Sequence, residues 1–282
     1  MIRICRACFV IIAALLLAGC GAINFAYDNA PSLVGNEFDN AFELDDAQQT
    51  RLDAALQEFF AWHRQYELAR YRQFLDSAAL AVADGLSANE VLALRAEFML
   101  AVQRSVTGMI DEVGPIAATL TPAQIDHYQQ YFRDDAADHE DYLEMSLQQR
   151  EIHRVERNMK RLQNWFGTFD ELQREKIALR LQRLPDLYPA WISYREARQQ
   201  ALLGALRKAA SDGLSTRQLQ FILLDPASDH ARAYEPARSA YWNAYAQALE
   251  EISASLDKAQ LEHAVSRLQN YSEMVAEIMQ DD

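Results

Sequence analysis

Four short segments of this chain repeat one pattern: an apolar residue, then Asp or Thr, two spacers, and Gln. They are Leu44-Asp45-Asp46-Ala47-Gln48, Leu120-Thr121-Pro122-Ala123-Gln124, Phe169-Asp170-Glu171-Leu172-Gln173 and Leu256-Asp257-Lys258-Ala259-Gln260. A helix leaves its first backbone N–H groups without partners. A side-chain oxygen of Asp or Thr at the N-cap takes one of them, and Gln three residues on reaches back to the N-cap N–H. The apolar residue in front is placed to staple onto the first turn, with Ile125 and Leu261 as its partners in the second and fourth segments. Pro122 falls at the first helical position, where its missing donor costs nothing. Each segment therefore opens a helix.

Periodicity extends these starts. Val91, Leu94, Phe98, Ala101, Val102, Ser105, Val106 and Met109 recur at spacings of three and four, as do Leu52, Leu56, Phe59, Phe60 and His63, and Leu261, Val265, Leu268, Val275 and Ile278. No stretch alternates with period two over a useful length. With nine Gly and seven Pro in 282 residues, the chain has few breakers. The expected class is all-α, a multi-helix bundle. Asp84-Gly85 and Asp212-Gly213 read as helix ends, with Ser87 and Ser215 capping the next helices. Gly114-Pro115 is expected to end a helix, Pro185 and Pro189 to interrupt another, and 225–236 to form a loop.

The landmarks recur in order. After the first box come Ala61-Trp62, Tyr66, Ala69-Arg70, Asp84-Gly85-Leu86-Ser87 and the second box. After the third come Ala190-Trp191, Tyr194, Ala197-Arg198, Asp212-Gly213-Leu214-Ser215 and the fourth box. This order points to two tandem, duplicated helical halves, 44–166 and 167–282. A period above about 100 residues is too long for a solenoid.

The N-terminus sets the location. Arg3 and Arg6 precede an apolar run over 9–17, and Leu17-Ala18-Gly19-Cys20 reads as a lipobox. The apolar run is shorter than the roughly 20 residues that span a bilayer. Residues 1–19 are expected to be a lipoprotein signal peptide, and 20–43 a lipidated, partly ordered tether starting at Cys20. Gly21, in place of Asp, favours sorting to the outer membrane, facing the periplasm. The expected membrane partner is thus the lipid anchor itself. Cys5 and Cys8 leave with the leader, so the mature chain forms no disulfide of its own.

The formal charge is −14, and removing Arg3 and Arg6 makes it about −16. Such a balance excludes nucleic acid as a natural partner, since that footprint is basic. The spacings of zincins, di-iron bundles, nucleophile elbows and phosphate loops are missing. No cofactor and no catalytic residue are assigned. His127 and His263 hold equivalent places after the second and fourth boxes and are the candidate metal ligands, should the halves face one another. Trp62 with Tyr66, and Trp191 with Tyr194, are the candidate binding groove, against a plain packing role. The acidic side chains Asp134, Asp135, Asp138, Glu140, Asp141 and Glu144 are expected on a solvated face. Arg150, Arg154, Arg157, Lys160 and Arg161 are expected to partner them along one helix. The reading is a non-enzymatic binding or structural role in the cell envelope, with an envelope protein as partner and the oligomeric state open. The rival class is a hydrolase with a site between the halves.

The lipobox, Tyr27-Asp28-Asn29-Ala30-Pro31-Ser32-Leu33, Phe42-Glu43-Leu44-Asp45-Asp46-Ala47-Gln48 and Trp62-His63-Arg64 together resemble a family of Gram-negative lipoproteins of unknown function. The resemblance spans nearly the whole chain and implies that the segment from Asn24 to Phe42 docks on the domain. It carries no activity or catalytic residue. Leu120-Thr121-Pro122-Ala123-Gln124 is also similar to the Leu-Thr-x-x-Gln signature of Spy- and CpxP-type helical periplasmic chaperones. That resemblance implies a cradle-like binding surface and an alternative role as a stress chaperone. The chain departs from it in carrying Asp in three of the boxes and a strongly acidic charge.

Overall fold

The computed structural model describes residues 25–280, without the side chains at 135–138, 140 and 210–212. The lipobox, Cys20 and Gly21 lie outside the described residues. After a helical turn at 25–28, the chain forms α1 (Ala30–Phe42), α2 (Asp46–Trp62), a π-helical segment (His63–Glu67), α3 (Leu68–Ala83), α4 (Ala88–Ala117) and α5 (Pro122–Glu144). There follow α6 (Leu147–Phe166), α7 (Glu171–Gln182), α8 (Tyr188–Asp212), α9 (Thr216–Leu224), α10 (Asp229–Ser253) and α11 (Lys258–Ile278). No strand occurs among the described residues, and the fold is an all-α bundle.

Asp45, Thr121, Asp170 and Asp257 each cap a helix in a complete reciprocal box with Gln48, Gln124, Gln173 and Gln260. Ser87, Ser146 and Ser215 make three further boxes. The four glutamines do a second job. Gln48 Nε2 donates to Thr119 O and Gln124 Oε1 at 2.9 and 3.2 Å, and Gln124 Nε2 donates to Glu43 O and Gln48 Oε1 at 2.9 and 2.6 Å. Gln173 Nε2 donates to Ser255 O and Gln260 Oε1, while Gln260 Nε2 donates to Thr168 O and Gln173 Oε1. In every case the carbonyl lies two residues before the partner box's N-cap. Two helix starts are thus tied side by side at two places in the bundle, which explains why the box demands Gln rather than Glu. A carboxylate accepts but cannot donate across.

A clamped glutamine therefore matters more than a simple capping one. Gln124→Leu leaves the Glu43 carbonyl without its Gln124 donor and removes both bonds between Gln124 and the buried Gln48 amide, and is expected to lower stability by about 2 kcal/mol. Gln149→Leu, in the exposed Ser146 box with no partner box, is expected to lose only about 0.5 kcal/mol. Urea midpoints of the two variants give the comparison, and equal losses would argue against the clamp.

The helices pack in a paired pattern. α1 lies on α2 and α5, as α6 lies on α7 and α11; α2 packs on α4, as α7 packs on α10. α3 runs along α11, the most extensive pairing in the bundle, and α8 packs correspondingly on α5. α4 contacts both α9 and α10 at the centre. By this pattern α6 stands to α7 as α1 stands to α2, whereas the expected boundary at 166/167 separates α6 from α7. The cores interlock: Ala78, Ala79 and Val82 of α3 pack with Leu162, Ile177, Leu181, Ile252 and Leu268, while Ala41, Ile110, Ile125 and Tyr128 pack with Leu202, Leu203 and Leu206. A core shared this way closes only when both groups of helices are folded.

Several local expectations are corrected. α4 continues through Pro115 and ends at Ala117, because Pro115 sits within the last turn, where it interrupts little helix. The loop expected over 225–236 is only 225–228. Asp225 Oδ1 accepts from Ala227 N–H and Ser228 Oγ donates to Asp225 O, so the chain turns at once and Pro236 lies inside α10. The acidic and basic runs are on two helices, since Ser146 starts a new one. Arg150 pairs instead with Asp186, at 3.0 Å, in the connection before α8. Phe98 leaves the apolar face assigned to it and is exposed beside Met99 and Leu100 in the middle of α4.

Candidate ligand cleft at the π-helical turn

The Trp-to-Tyr spacing differs between the two series of landmarks, four residues for Trp62 and Tyr66 but three for Trp191 and Tyr194. The π-helical segment His63–Glu67 is where the extra residue is taken up: Leu68 N–H bonds to His63 O, one residue further back than in an α-helix. α8 is α-helical throughout the corresponding stretch. Aligning the two Tyr residues puts Glu67 where the second series has Arg195, and both are buried.

Glu67 is 0% exposed, so its carboxylate depends wholly on its partners. Arg70 Nη1 donates to Oε1 at 2.5 Å, and Arg104 Nε reaches Oε1 at 3.1 Å and Oε2 at 2.9 Å. The two arginine side chains are 53% and 37% exposed, so two positive charges stand at the surface over one buried negative charge, a net charge of plus one. They face a cleft of about 370 Å³ lined also by Phe59, Trp62, Gln103, Thr107, Gly108, Asp111 and Glu112. Trp62 lies flat on α4, and a Cβ at Gly108 would come within 2.7 Å of its ring, so glycine is what admits it. Both Glu67 oxygens serve arginines; the group holds guanidiniums and is not poised as a general base.

Behind the cleft, His63 joins two helices and the segment before α1. Tyr27 Oη lies 3.0 Å from Nδ1, and Tyr71 Oη lies 3.1 Å from Nε2 and 2.6 Å from Ser105 Oγ. Ser105 Oγ donates to Ala101 O, so Tyr71 donates to Ser105. His63 Nε2–H then donates to Tyr71, and bare Nδ1 accepts from Tyr27. Burial lowers the His63 pKa to about 4, with the nearby Glu67 charge working the other way. Burial also raises the Tyr27 hydroxyl above its ordinary range. Arg64 adds an ion pair to Asp28 at 2.9 Å, over the Tyr27 ring.

The residues singled out from the sequence separate. Trp62 lines the cleft, whereas Tyr66 is 50% exposed and does not. Trp191 stands edge-on to His139, beside Tyr188, and Tyr194 stacks on Tyr234 near His230. His127 bonds to Asn40 O at 3.1 Å and pairs with Glu43 at 3.3 Å, at the end of α1. His263 lies against Gly167 at the end of α6. The two histidines thus hold equivalent but separate junctions. Among the described residues no group of three or more His, Cys, Asp or Glu side chains converges as a metal site would. Glu67 and Arg104 were missed by sequence reasoning. Their signal was the unequal Trp–Tyr spacing, which forces one turn to widen.

Residues 40–235 match the model of a family of unknown function, DUF6279, and that span contains the whole cleft. No curated protein and no solved structure matches the chain.

Proposed function

The chain belongs to the family of unknown function DUF6279, and from that premise we propose a lipid-anchored, non-catalytic binding protein of the cell envelope, held at the periplasmic face of the outer membrane. The observation that carries the binding role is the cleft: two guanidiniums set by one buried carboxylate, beside the half-buried Trp62. Such a site can recognise charge and shape, and the buried carboxylate that sets the guanidiniums is committed to them rather than to proton transfer. The location rests on Leu17-Ala18-Gly19-Cys20 and Gly21. The recurring landmarks, paired glutamine clamps and matching helix neighbours support two copies of one helical unit as the origin of the scaffold. Crosslinking in intact cells, followed by purification of the lipidated protein, tests the role. A recurrent envelope partner, lost on Arg104→Gln, is expected; an unchanged crosslink pattern in that variant would sink it.

The anchor has its own test. Cys20→Ser is expected to abolish incorporation of a labelled fatty acid and to leave the leader attached, because lipoprotein leader cleavage follows acylation. A Ser variant that fractionated with membranes at the mature mass would overturn the lipobox.

A chaperone reading is the second one supported here. The glutamine clamps include the Leu-Thr-x-x-Gln box, and Phe98, Met99 and Leu100 expose apolar surface together on α4. It requires that the protein suppress aggregation of an unfolded client and that Leu100→Ser weaken this; failure of either removes it.

A further inference from the structure

We infer that the cleft at the π-helical turn binds a short zwitterionic peptide, its carboxylate on Arg70 and Arg104 and its ammonium on Asp111 and Glu112. The inference rests on the binding role proposed above and names the ligand class for that same cleft.

The wall of the cleft is one stripe of α4. Gln103, Arg104, Thr107, Gly108, Asp111 and Glu112 are spaced so that they share one helix face. Charge changes sign along that stripe, from Arg104 at one end to Asp111 and Glu112 at the other. Seven residues separate Arg104 from Asp111, which is about 10 Å of helix. Three residues of extended peptide span about 10 Å. A tripeptide laid along the stripe therefore brings its two termini to the two charged ends.

Each end has capacity left. Arg104 uses only Nε on Glu67, so both of its Nη groups remain available as a donor pair of the kind that grips a carboxylate. Arg70 spends Nη1 on Glu67, and its Nη2 and Nε remain. With Glu67 neutralising one of the two guanidiniums, the end carries one net positive charge, matched to one carboxylate. At the far end Asp111 Oδ1 accepts from Gln220 Nε2 at 2.7 Å, which orients that carboxylate and leaves Oδ2 and the Glu112 carboxylate for an ammonium. Between the ends, Trp62 on Gly108 gives an apolar floor for small side chains, and Gln103 and Thr107 add polar side chains to the lining. The volume of about 370 Å³ falls in the range of small-molecule sites.

Titration calorimetry of the purified full-length protein in detergent tests this with four probes: tri-alanine, its C-terminal amide, its N-acetyl form, and the doubly blocked peptide. Tri-alanine is expected to bind, and blocking either end is expected to weaken it about tenfold, as loss of one charge-assisted contact implies. In Arg104→Gln, tri-alanine and its amide should bind alike. In the exposed Asp111→Asn/Glu112→Gln variant, tri-alanine and its N-acetyl form should bind alike. Gly108→Ala, which displaces Trp62, should weaken all four. Equal affinity for the free and doubly blocked peptides, or no binding of any probe at millimolar concentration, overturns the inference. If in-cell crosslinks sensitive to Arg104→Gln persist in that case, the binding role stands and only the peptide falls. If those crosslinks are missing, the wider reading fails with it.

Discussion

Truncating Arg104 to Ala is expected to destabilise the fold by about 3 kcal/mol, far more than an average surface arginine. Arg104 is itself 37% exposed, so its own desolvation is modest; the loss comes from what it leaves behind. Glu67 is fully enclosed, and of its three guanidinium contacts only the one from Arg70 survives. A buried carboxylate that loses a partner has no water to turn to. The pair is then separable by a second substitution. Glu67→Leu removes the charge that Arg104 compensates, so Arg104→Ala/Glu67→Leu should recover most of the stability lost in Arg104→Ala alone. In the double variant the remaining guanidinium, that of Arg70, is freed of its carboxylate and rehydrates at the surface. Urea denaturation of the two single variants and the double variant gives the cycle. Additive losses would mean that Glu67 and Arg104 are not energetically coupled and that the cleft wall is not held by this ion network.

How much of this was legible depends on the range of the signal. Helix starts are local: Asp45 and Gln48 lie three residues apart, and the chemistry that makes them a box is complete within one turn. The same holds for Gly85 and Gly213, whose positive φ angles end α3 and α8 as their positions imply. What the glutamines do with their remaining amide protons is not local. Gln48 meets Gln124 only because α2 and α5 start side by side, and nothing within either box states that. Phe98 shows the reverse failure. Its spacing fits the apolar face of α4, yet the helix is 30 residues long and its neighbours do not cover the middle, so the face continues past the core it serves. The site itself lay in a mismatch. Trp62 and Tyr66 were recognised as the counterparts of Trp191 and Tyr194, but the extra residue between the first pair has no consequence until a backbone must absorb it. Absorbed as a π turn, it coincides with a fully buried Glu67, with Arg104 brought to it from another helix.

The largest pH effect is expected at His63. Its pKa is about 4 in the folded protein against 6.5 unfolded. The unfolded chain therefore binds the proton first as pH falls. Stability contributed by neutral His63 is complete above about pH 6.5, declines from there to pH 4, and is flat below, a total of up to about 3 kcal/mol at 1.36 kcal/mol per unit. Carboxylates of this acidic chain titrate over part of the same window, so the test is a difference. Stability of the native protein minus that of His63→Gln, measured by urea denaturation from pH 7.5 to 4, should shrink by nearly that amount, and parallel profiles would refute it. The structural consequence is directional. Nε2 already carries a proton toward Tyr71, so the incoming proton must enter at Nδ1, where Tyr27 now donates. Tyr27 then faces a donor with its own hydroxyl proton. Of the groups packed here, Tyr71 and Ser105 keep their bonds, Glu67 stays with its arginines, and Arg64 still holds Asp28. The contact that weakens first is therefore the one between the bundle and the chain just before α1. Acidification should raise amide exchange at 25–29 before it reaches α2 or α3, and that order of opening separates a local release of this segment from general acid unfolding.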